Sequence, residues 1–300
     1  MKRAISISLG SRTRDKKVSI TLLGEEITIE RIGTDGDVEK AIQLYNEMDG
    51  NVDAFGVGGI DLGLTVAGRY YPLYDAQQLV AGVRQTPVVD GGGLKITLER
   101  GIAQFIEQEI GDEIQPKRVL ITSGVDRYGS ALSFDEAGYD MIVGDLGFAL
   151  GIPIPIRSLR GLHVVARIVA PLAGRLPLEF LYPTGEKQEQ IVPKYGKWYN
   201  WATVVSGDCL YIKHHMPDRL DGKVIATNTT TPADVEAFHE RGVRYLVTST
   251  PRLEGRSFGT NMMEAALVAI AGKGRPLTTD ELDEMLKRLG LKPTLQRLDE

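Results

Sequence analysis

From Arg118 onward, short apolar runs alternate with helical patterns, and that rhythm leaves few folds open to the chain. R-V-L-I-T-S-G (118–124), Y-D-M-I-V-G-D (139–145), W-A-T-V-V-S-G-D (201–208), G-K-V-I-A-T-N (222–228) and V-R-Y-L-V-T-S-T (243–250) all read as strands. Between or after them lie helix patterns beginning Y-G-S-A-L (128–132), L-R-G-L-H-V-V (159–165), P-A-D-V-E (232–236) and N-M-M-E-A-A-L (261–267). Thr231 caps the third of these, with proline in its first turn and glycine at its end. Parallel neighbours need crossover connections, and strands apolar on both faces are covered on both sides. The expectation is an α/β fold whose second half is a Rossmann-like parallel sheet. Residues 150–200, rich in proline and aromatics, interrupt the rhythm and read as an insertion that shapes a lid or an oligomer contact.

The first half starts with three strand patterns, at 4–9, 16–23 and 25–32, the last two joined by a tight turn at Leu23-Gly24. A helix at 38–48 and a strand at 52–58 make a β-helix-β unit, so parallel pairing is expected here too. Arg69-Tyr70-Tyr71 reads as loop, D-A-Q-Q-L-V-A-G-V-R (75–84) as a ten-residue helix, Val88-Val89 as a strand and 94–110 as one long helix. This divides the chain into an N-terminal α/β substrate domain, 1–112, and a Rossmann-like domain, 113–300, whose C-terminal helices return to the first.

Composition narrows the function. A net charge of −5 gives no global attraction to nucleic acid or acidic membranes. No stretch approaches the ~20 apolar residues of a membrane helix, and the opening M-K-R-A-I-S-I-S-L-G lacks a signal-peptide core. The single cysteine, Cys209, allows no intramolecular disulfide and no multi-cysteine metal site. A cytoplasmic protein acting on a small molecule is the simplest reading, with no metal. A homodimer is expected only because symmetric dimers are common and the insertion is apolar.

Four groups of residues can carry chemistry. S-G-V-D-R-Y-G (123–129) follows a strand and opens a helix, where backbone amides can approach a phosphate. Ser123, Gly124, Arg127 and Gly129 are its candidates. Asp145 ends the following strand, where dinucleotide-binding folds place a carboxylate for ribose hydroxyls. The competing reading is a tight strand-to-helix turn with Asp145 as a cap. G-V-G-G-I-D (56–61) and V-V-D-G-G-G-L-K (88–95) each set an aspartate among glycines after a strand. Asp61, Asp90 and Lys95 are therefore acid/base candidates, against capping by Asp90 and a solvated Lys95. Thr227 and Asn228 sit at a later strand end and can hold a ligand's polar edge. Arg256, Ser257 and Asn261 precede an apolar helix in another anion-ready arrangement, against a capped and packed helix. His214 and His215 can titrate near neutrality, though a surface pair explains them as well, and Cys209 reads as a packing residue.

With these residues in view, the order of pieces resembles the shikimate/quinate dehydrogenase family. V-V-D-G-G-G (88–93), the helix after it, R-V-L-I-T-S-G (118–124) and the C-terminal helices follow the same succession. G-V-G-G-I and D-G-G-G before a Rossmann strand are also similar to cyanobacterial acyl-carrier-protein reductases. The resemblance implies an NAD(P)-dependent oxidoreductase acting on a hydroxy-acid-like or keto-acid-like substrate in the interdomain cleft, with Asp90 as catalytic aspartate. Asp145 favours NAD, since it would repel a 2′-phosphate, while Arg127 weakens that preference. Two family features are missing: the Asn-Val-Thr-x-Pro-x-Lys segment before the aspartate, and the middle glycines of the dinucleotide turn. The alternative is a non-redox protein that binds a small molecule or phosphate on the same scaffold.

Overall fold

A computed structural model describes residues 1–177, 191–250 and 259–299, with the backbone of Arg252–Leu253 and Arg256–Ser257. Residues 178–190 of the insertion and the Arg256 and Ser257 side chains lie outside the described residues. The chain has an α/β fold and divides into two units. The first holds 1–97, 170–177 and 259–291; the second holds 98–169, 191–250 and 292–299.

In the first unit β1 (Lys2–Ser8), β2 (Lys16–Leu22) and β3 (Glu25–Gly33) lead to α1 (Val38–Met48) and β4 (Ala54–Gly58). The β2–β3 hairpin turns at Leu23 and Gly24, both at positive φ, as a two-residue turn requires. Asp37 caps α1 by accepting from the Lys40 amide at 2.9 Å. A second hairpin, β5 (Gly63–Val66) and β6 (Arg69–Pro72), stands where the sequence suggested a loop. Its turn at Ala67-Gly68 is again at positive φ, and the alternation along R-Y-Y-P was too short to register as a strand. α2 (Tyr74–Gln78) is half the expected helix. Beyond it the chain tightens into i→i+3 bonds from Val80, Ala81 and Val83, where Val80, Gly82 and Val83 have poor helix propensity.

β7 (Val88–Val89) completes a sheet of order β2-β3-β1-β4-β7 that is parallel except for β2. Tyr45 from α1 anchors one face: its ring meets Phe55 edge-on at 5.2 Å, and its hydroxyl lies 3.0 Å from the Ile7 carbonyl. The expected long helix after β7 is two, α3 (Gly92–Glu99) and α4 (Ile102–Ile110), broken at Gly101.

The second unit runs through β8 (Arg118–Ile121), α5 (Tyr128–Glu136), β9 (Asp140–Val143), α6 (Asp145–Leu150), α7 (Leu159–Ala173), α8 (Gly196–Trp201), β10 (Val204–Ser206) and α9 (Cys209–His215). It continues with β11 (Val224–Thr227), α10 (Pro232–His239), β12 (Tyr245–Thr248) and the two-residue strands β13 (Arg252–Leu253) and β14 (Arg256–Ser257). After α11 (Thr260–Ala271) and α12 (Thr279–Arg288), which belong to the first unit, β15 (Thr294–Arg297) pairs antiparallel with β12. The sheet order is β9-β8-β10-β11-β12-β15. Counted within the unit, the parallel strands read 2-1-3-4-5, a doubly wound order whose switch point falls between β8 and β10. Strand interiors such as Val119, Leu120, Ile121, Val204 and Val205 are fully buried, as strands with both faces covered should be.

α11 is buried on nearly every side, from Met262 to Ala269, and packs across β1, β3, β4 and β7. Only glycine admits its N-terminal turn. A Cβ on Gly56 would lie 2.8 Å from the Asn261 carbonyl oxygen, and one on Gly91 would lie 2.5 Å from the Asn261 nitrogen.

The Asp49 carboxylate at the end of α1 fastens the approach to β7. It accepts from the amides of Arg84 (2.7 Å), Gln85 (3.1 Å) and Thr86 (2.8 Å). Burial pushes this carboxyl up, but those amides outweigh it and hold it at about 2. A value below the ordinary ~3.9 contributes stability above about pH 4 that is lost as pH falls through 2. Asp49→Ala should therefore lower the urea-unfolding free energy at pH 7 by about 1–3 kcal/mol. The gap from wild type should close as the solution is acidified below pH 4, and a gap independent of pH would contradict this.

Candidate functional site

The carboxyl edge of the first sheet brings together Asp61, Asp90 and Lys95. Asp61 follows β4, Asp90 follows β7, and Lys95 lies in the first turn of α3. The Lys95 ammonium is 3.1 Å from Asp61 Oδ1, with both side chains mostly buried. Asp90 spends its two oxygens on backbone: Oδ2 accepts from the Leu62 amide at 2.7 Å and Oδ1 from the Gly92 amide at 2.8 Å. It thus ties the strand end that carries Asp61 to the turn that launches Lys95. Gly91, at φ +92°, makes that turn possible.

Sequence reasoning missed two members of this group. Glu264 from α11 accepts from the Leu94 amide at 2.9 Å, inside the first turn of α3. Burial raises its carboxyl to about 7 against the pull of the Leu94 and Gly93 amides, and the charge of Asp90 adds to the rise. Its only signal in the sequence is one acid within N-M-M-E-A-A-L-V-A-I-A, where every neighbour is apolar or small. Tyr70 of β6 is the second; burial raises its phenol, and Asp90 and Asp61 contribute. Asn261 donates to Ser6 Oγ at 2.6 Å and serves as the packed end of α11.

In the second unit the residues read as a phosphate turn are engaged by the chain itself. The Asp145 carboxylate accepts from the Gly124 amide at 2.7 Å and the Val125 amide at 2.9 Å. Gly124 is demanded by packing, since a Cβ there would lie 2.4 Å from Val143 Cγ1. The Ser123 carbonyl accepts from the Arg127 amide, and Gly129 is buried in the first turn of α5.

Arg127 is 5% exposed and holds Glu99 at 2.7 Å and Asp208 at 2.8 Å, with Asp126 3.0 Å from its Nε. Burial opposes its charge, but the three carboxylates outweigh that and raise its pKa. Asn228 donates to Asp208 at 2.8 Å and accepts from the Cys209 amide, while Thr227 donates to the Gly207 carbonyl. Arg127, Asp208, Thr227 and Asn228 therefore form one network at the carboxyl ends of β10 and β11. A shallow recess is lined there by Glu99, Arg127, Ser130, Ser206, Gly207 and Thr227, and it is too tight to enclose even a water molecule.

His215 is a packing residue, stacked on Phe148 at 5.0 Å and lowered to about 4 by burial, so it is neutral at pH 7. Burial raises the Cys209 thiol, which leaves it inert as a nucleophile. Among the described residues no group of His, Cys, Asp and Glu is arranged to hold a metal ion, and no helix is long and apolar enough to cross a membrane.

The Asp145 contact has a measurable signature. Burial lifts its carboxyl to about 6, although the Val125 and Gly124 amides oppose the rise. The folded chain then keeps this proton to higher pH than the unfolded chain, whose carboxyl titrates near ~3.9. Stability should fall as pH rises from about 4 to about 6, by roughly 2–3 kcal/mol, and level off above. Asp145→Asn removes that titration. In urea melts its stability relative to wild type should improve by this amount across the interval; a constant difference would refute the assignment.

Comparison with known proteins adds a family and little else. None of the curated proteins matches this chain. Among solved structures, a malic enzyme from Entamoeba histolytica is similar at 13% identity and a TM-score of 0.40, over 90% of this chain and 57% of that one. A periplasmic ribose ABC transporter from Conexibacter woesei DSM 14684 is similar at 10% identity and 0.38, over 95% and 94% of the two chains. A Mycobacterium smegmatis protein in complex with β-D-fucofuranose is similar at 12% identity and 0.36, over 97% and 95%. At such scores the likeness carries no argument about function. Residues 3–90 match the family model described as Domain of unknown function (DUF8753). Residues 93–298 match a second, and the chain belongs to that family, described as Domain of unknown function (DUF8754).

Proposed function

We propose that this protein binds a small hydroxylated or carbonyl compound at Asp61, Asp90 and Lys95 and moves a proton there. The observation that carries this reading is the Lys95–Asp61 pair at 3.1 Å, on a frame that Asp90 locks through two backbone amides. The ammonium can give a proton to a carbonyl oxygen, and the carboxylate beside it can take one from a hydroxyl. Two aspartates against one lysine leave the group net negative, which favours uncharged hydroxyl or carbonyl ligands over a further carboxylate.

A nicotinamide dinucleotide fits the second unit poorly. The amides of Gly124 and Val125 are taken by Asp145, and the Arg127 guanidinium is committed to Glu99 and Asp208. A pyrophosphate at this turn would meet a buried carboxylate in place of donors.

The second reading is an NAD(P)-dependent oxidoreductase of the shikimate/quinate dehydrogenase kind. Two observations favour it: the order of elements, and Asp145 following the second strand of the Rossmann-like sheet, where a ribose would be read.

Calorimetry separates the readings. Titration with myo-inositol, dihydroxyacetone, lactate, quinate and shikimate should find binding by at least one hydroxylated compound, strongest among the uncharged ones. Lys95→Met should weaken it by roughly tenfold or more, about 1.4 kcal/mol. NAD and NADP at millimolar concentration should give no heat. Binding of either dinucleotide, abolished by Asp145→Ala, would replace the first reading with the second; full ligand affinity in Lys95→Met would remove Lys95 from the site.

A further inference from the structure

The Asp61–Lys95 pair has a third carboxylate behind it whose placement no capping requirement explains by itself. Glu264 reaches from α11 into the first turn of α3, the turn that carries Lys95, and bonds the Leu94 amide there. Its side chain presses against Gly93, where a Cβ would stand 2.9 Å from Glu264 Oε1. A serine or asparagine would cap this helix end with no buried charge. A glutamate that is 4% exposed instead places an ionisable group one residue from Lys95 and beside Asp90. Among the described residues, the other neighbours of α11 at this point are uncharged. β1 and β4 present Ser6, Gly56 and Gly58, and α12 presents Leu282. The charges shown to act on Glu264 are Asp90 in the β7–α3 turn, which raises its carboxyl, and Lys95 on α3, which lowers it, with Asp61 paired to Lys95.

We propose that Glu264 is a positioning residue of this site, which fixes the turn bearing Lys95 and, by gaining or losing its own proton, sets the charge against which the Lys95 ammonium is held. The inference rests on the reading of Asp61, Asp90 and Lys95 as a functional group. With Glu264 protonated, those three carry one negative charge overall; with Glu264 ionised, the four carry two. The geometry makes the coupling direct, since a charge gained on Glu264 acts across a single helical turn in a mostly buried setting. Burial places that change near neutral pH, at about 7. Below it Lys95 releases its proton more readily, and above it the ammonium is held more tightly. A ligand bearing its own negative charge would be disfavoured further on the alkaline side.

The test uses the full-length protein and needs no substrate. The rate of Lys95 acetylation by acetic anhydride, read by mass spectrometry of peptides, reports the fraction of neutral amine. In the wild type the logarithm of this rate should rise with pH, flatten around pH 7 as Glu264 ionises, and rise again. Glu264→Gln, which mimics the protonated acid, should remove the flattening. It should label at the wild-type rate at pH 6 and roughly threefold or more faster at pH 8.5. A variant that merely loosened the turn would label faster by the same factor at both values, and that result would overturn the proposal. So would a wild-type profile that rises through pH 7 without a break, an outcome that holds whether or not the variant folds. Because labelling needs no ligand, coupling found here without hydroxylated-ligand binding would contradict the proposed function and leave only the Glu264–Lys95 coupling standing. Binding found without coupling would do the reverse.

Discussion

The grip of the Asp90 carboxylate on the amides of Leu62 and Gly92 is the contact on which the first unit's site depends. Asp61 and Lys95 lie on separate segments, one leaving β4 and one entering α3, and neither segment fixes the other by backbone pairing. Asp90 bridges them with two hydrogen bonds of 2.7 and 2.8 Å, each strengthened by the charge on the acceptor. Removing that carboxylate would leave two amides unsatisfied in a half-buried place, a cost of about 1–3 kcal/mol for each buried donor. The Lys95–Asp61 distance follows from this frame, and the packing of α11 on Gly56, Gly58 and Gly91 secures it from behind.

The same device recurs through the chain. Asp49 gathers the amides of 84–86, Asp90 those of Leu62 and Gly92, Asp145 those of Gly124 and Val125, and Glu264 that of Leu94. Sets of amides at turns and helix starts attract anions, and here the chain furnishes its own. This has opposite consequences in the two units. In the first it builds a rigid edge that carries the Lys95–Asp61 pair. In the second it occupies the amides of Gly124 and Val125, while Arg127 pairs with Glu99, Asp126 and Asp208.

The fold was legible in the sequence to the extent that it follows from periodicity and punctuation. Every buried strand of the second sheet appears as an apolar run, and the Thr231 cap marks its helix correctly. Elements that depend on partners were not legible. β15 is polar along T-L-Q-R and exists because β12 offers an edge. The β5–β6 hairpin is short, and the helix expected over 94–110 breaks at a glycine that periodicity passes over. Within the site, aspartates among glycines pointed to Asp61 and Asp90, and proximity pointed to Lys95. The glycines themselves were open to a ligand reading, and at Gly56, Gly58 and Gly91 the structure shows a close approach to Asn261. Glu264 lies 170 positions from Leu94. Only the tertiary fold joins them.

The most direct measurement is a backbone amide correlation spectrum of the isotopically labelled protein, recorded during titration with an uncharged hydroxylated compound and separately with NAD. The account predicts that the hydroxylated compound shifts the amides of Leu62, Gly92 and Leu94, and that NAD leaves Gly124 and Val125 where they are. Shifts at Gly124 and Val125 with NAD, and none at Leu62, Gly92 or Leu94 with any hydroxylated compound, would contradict it.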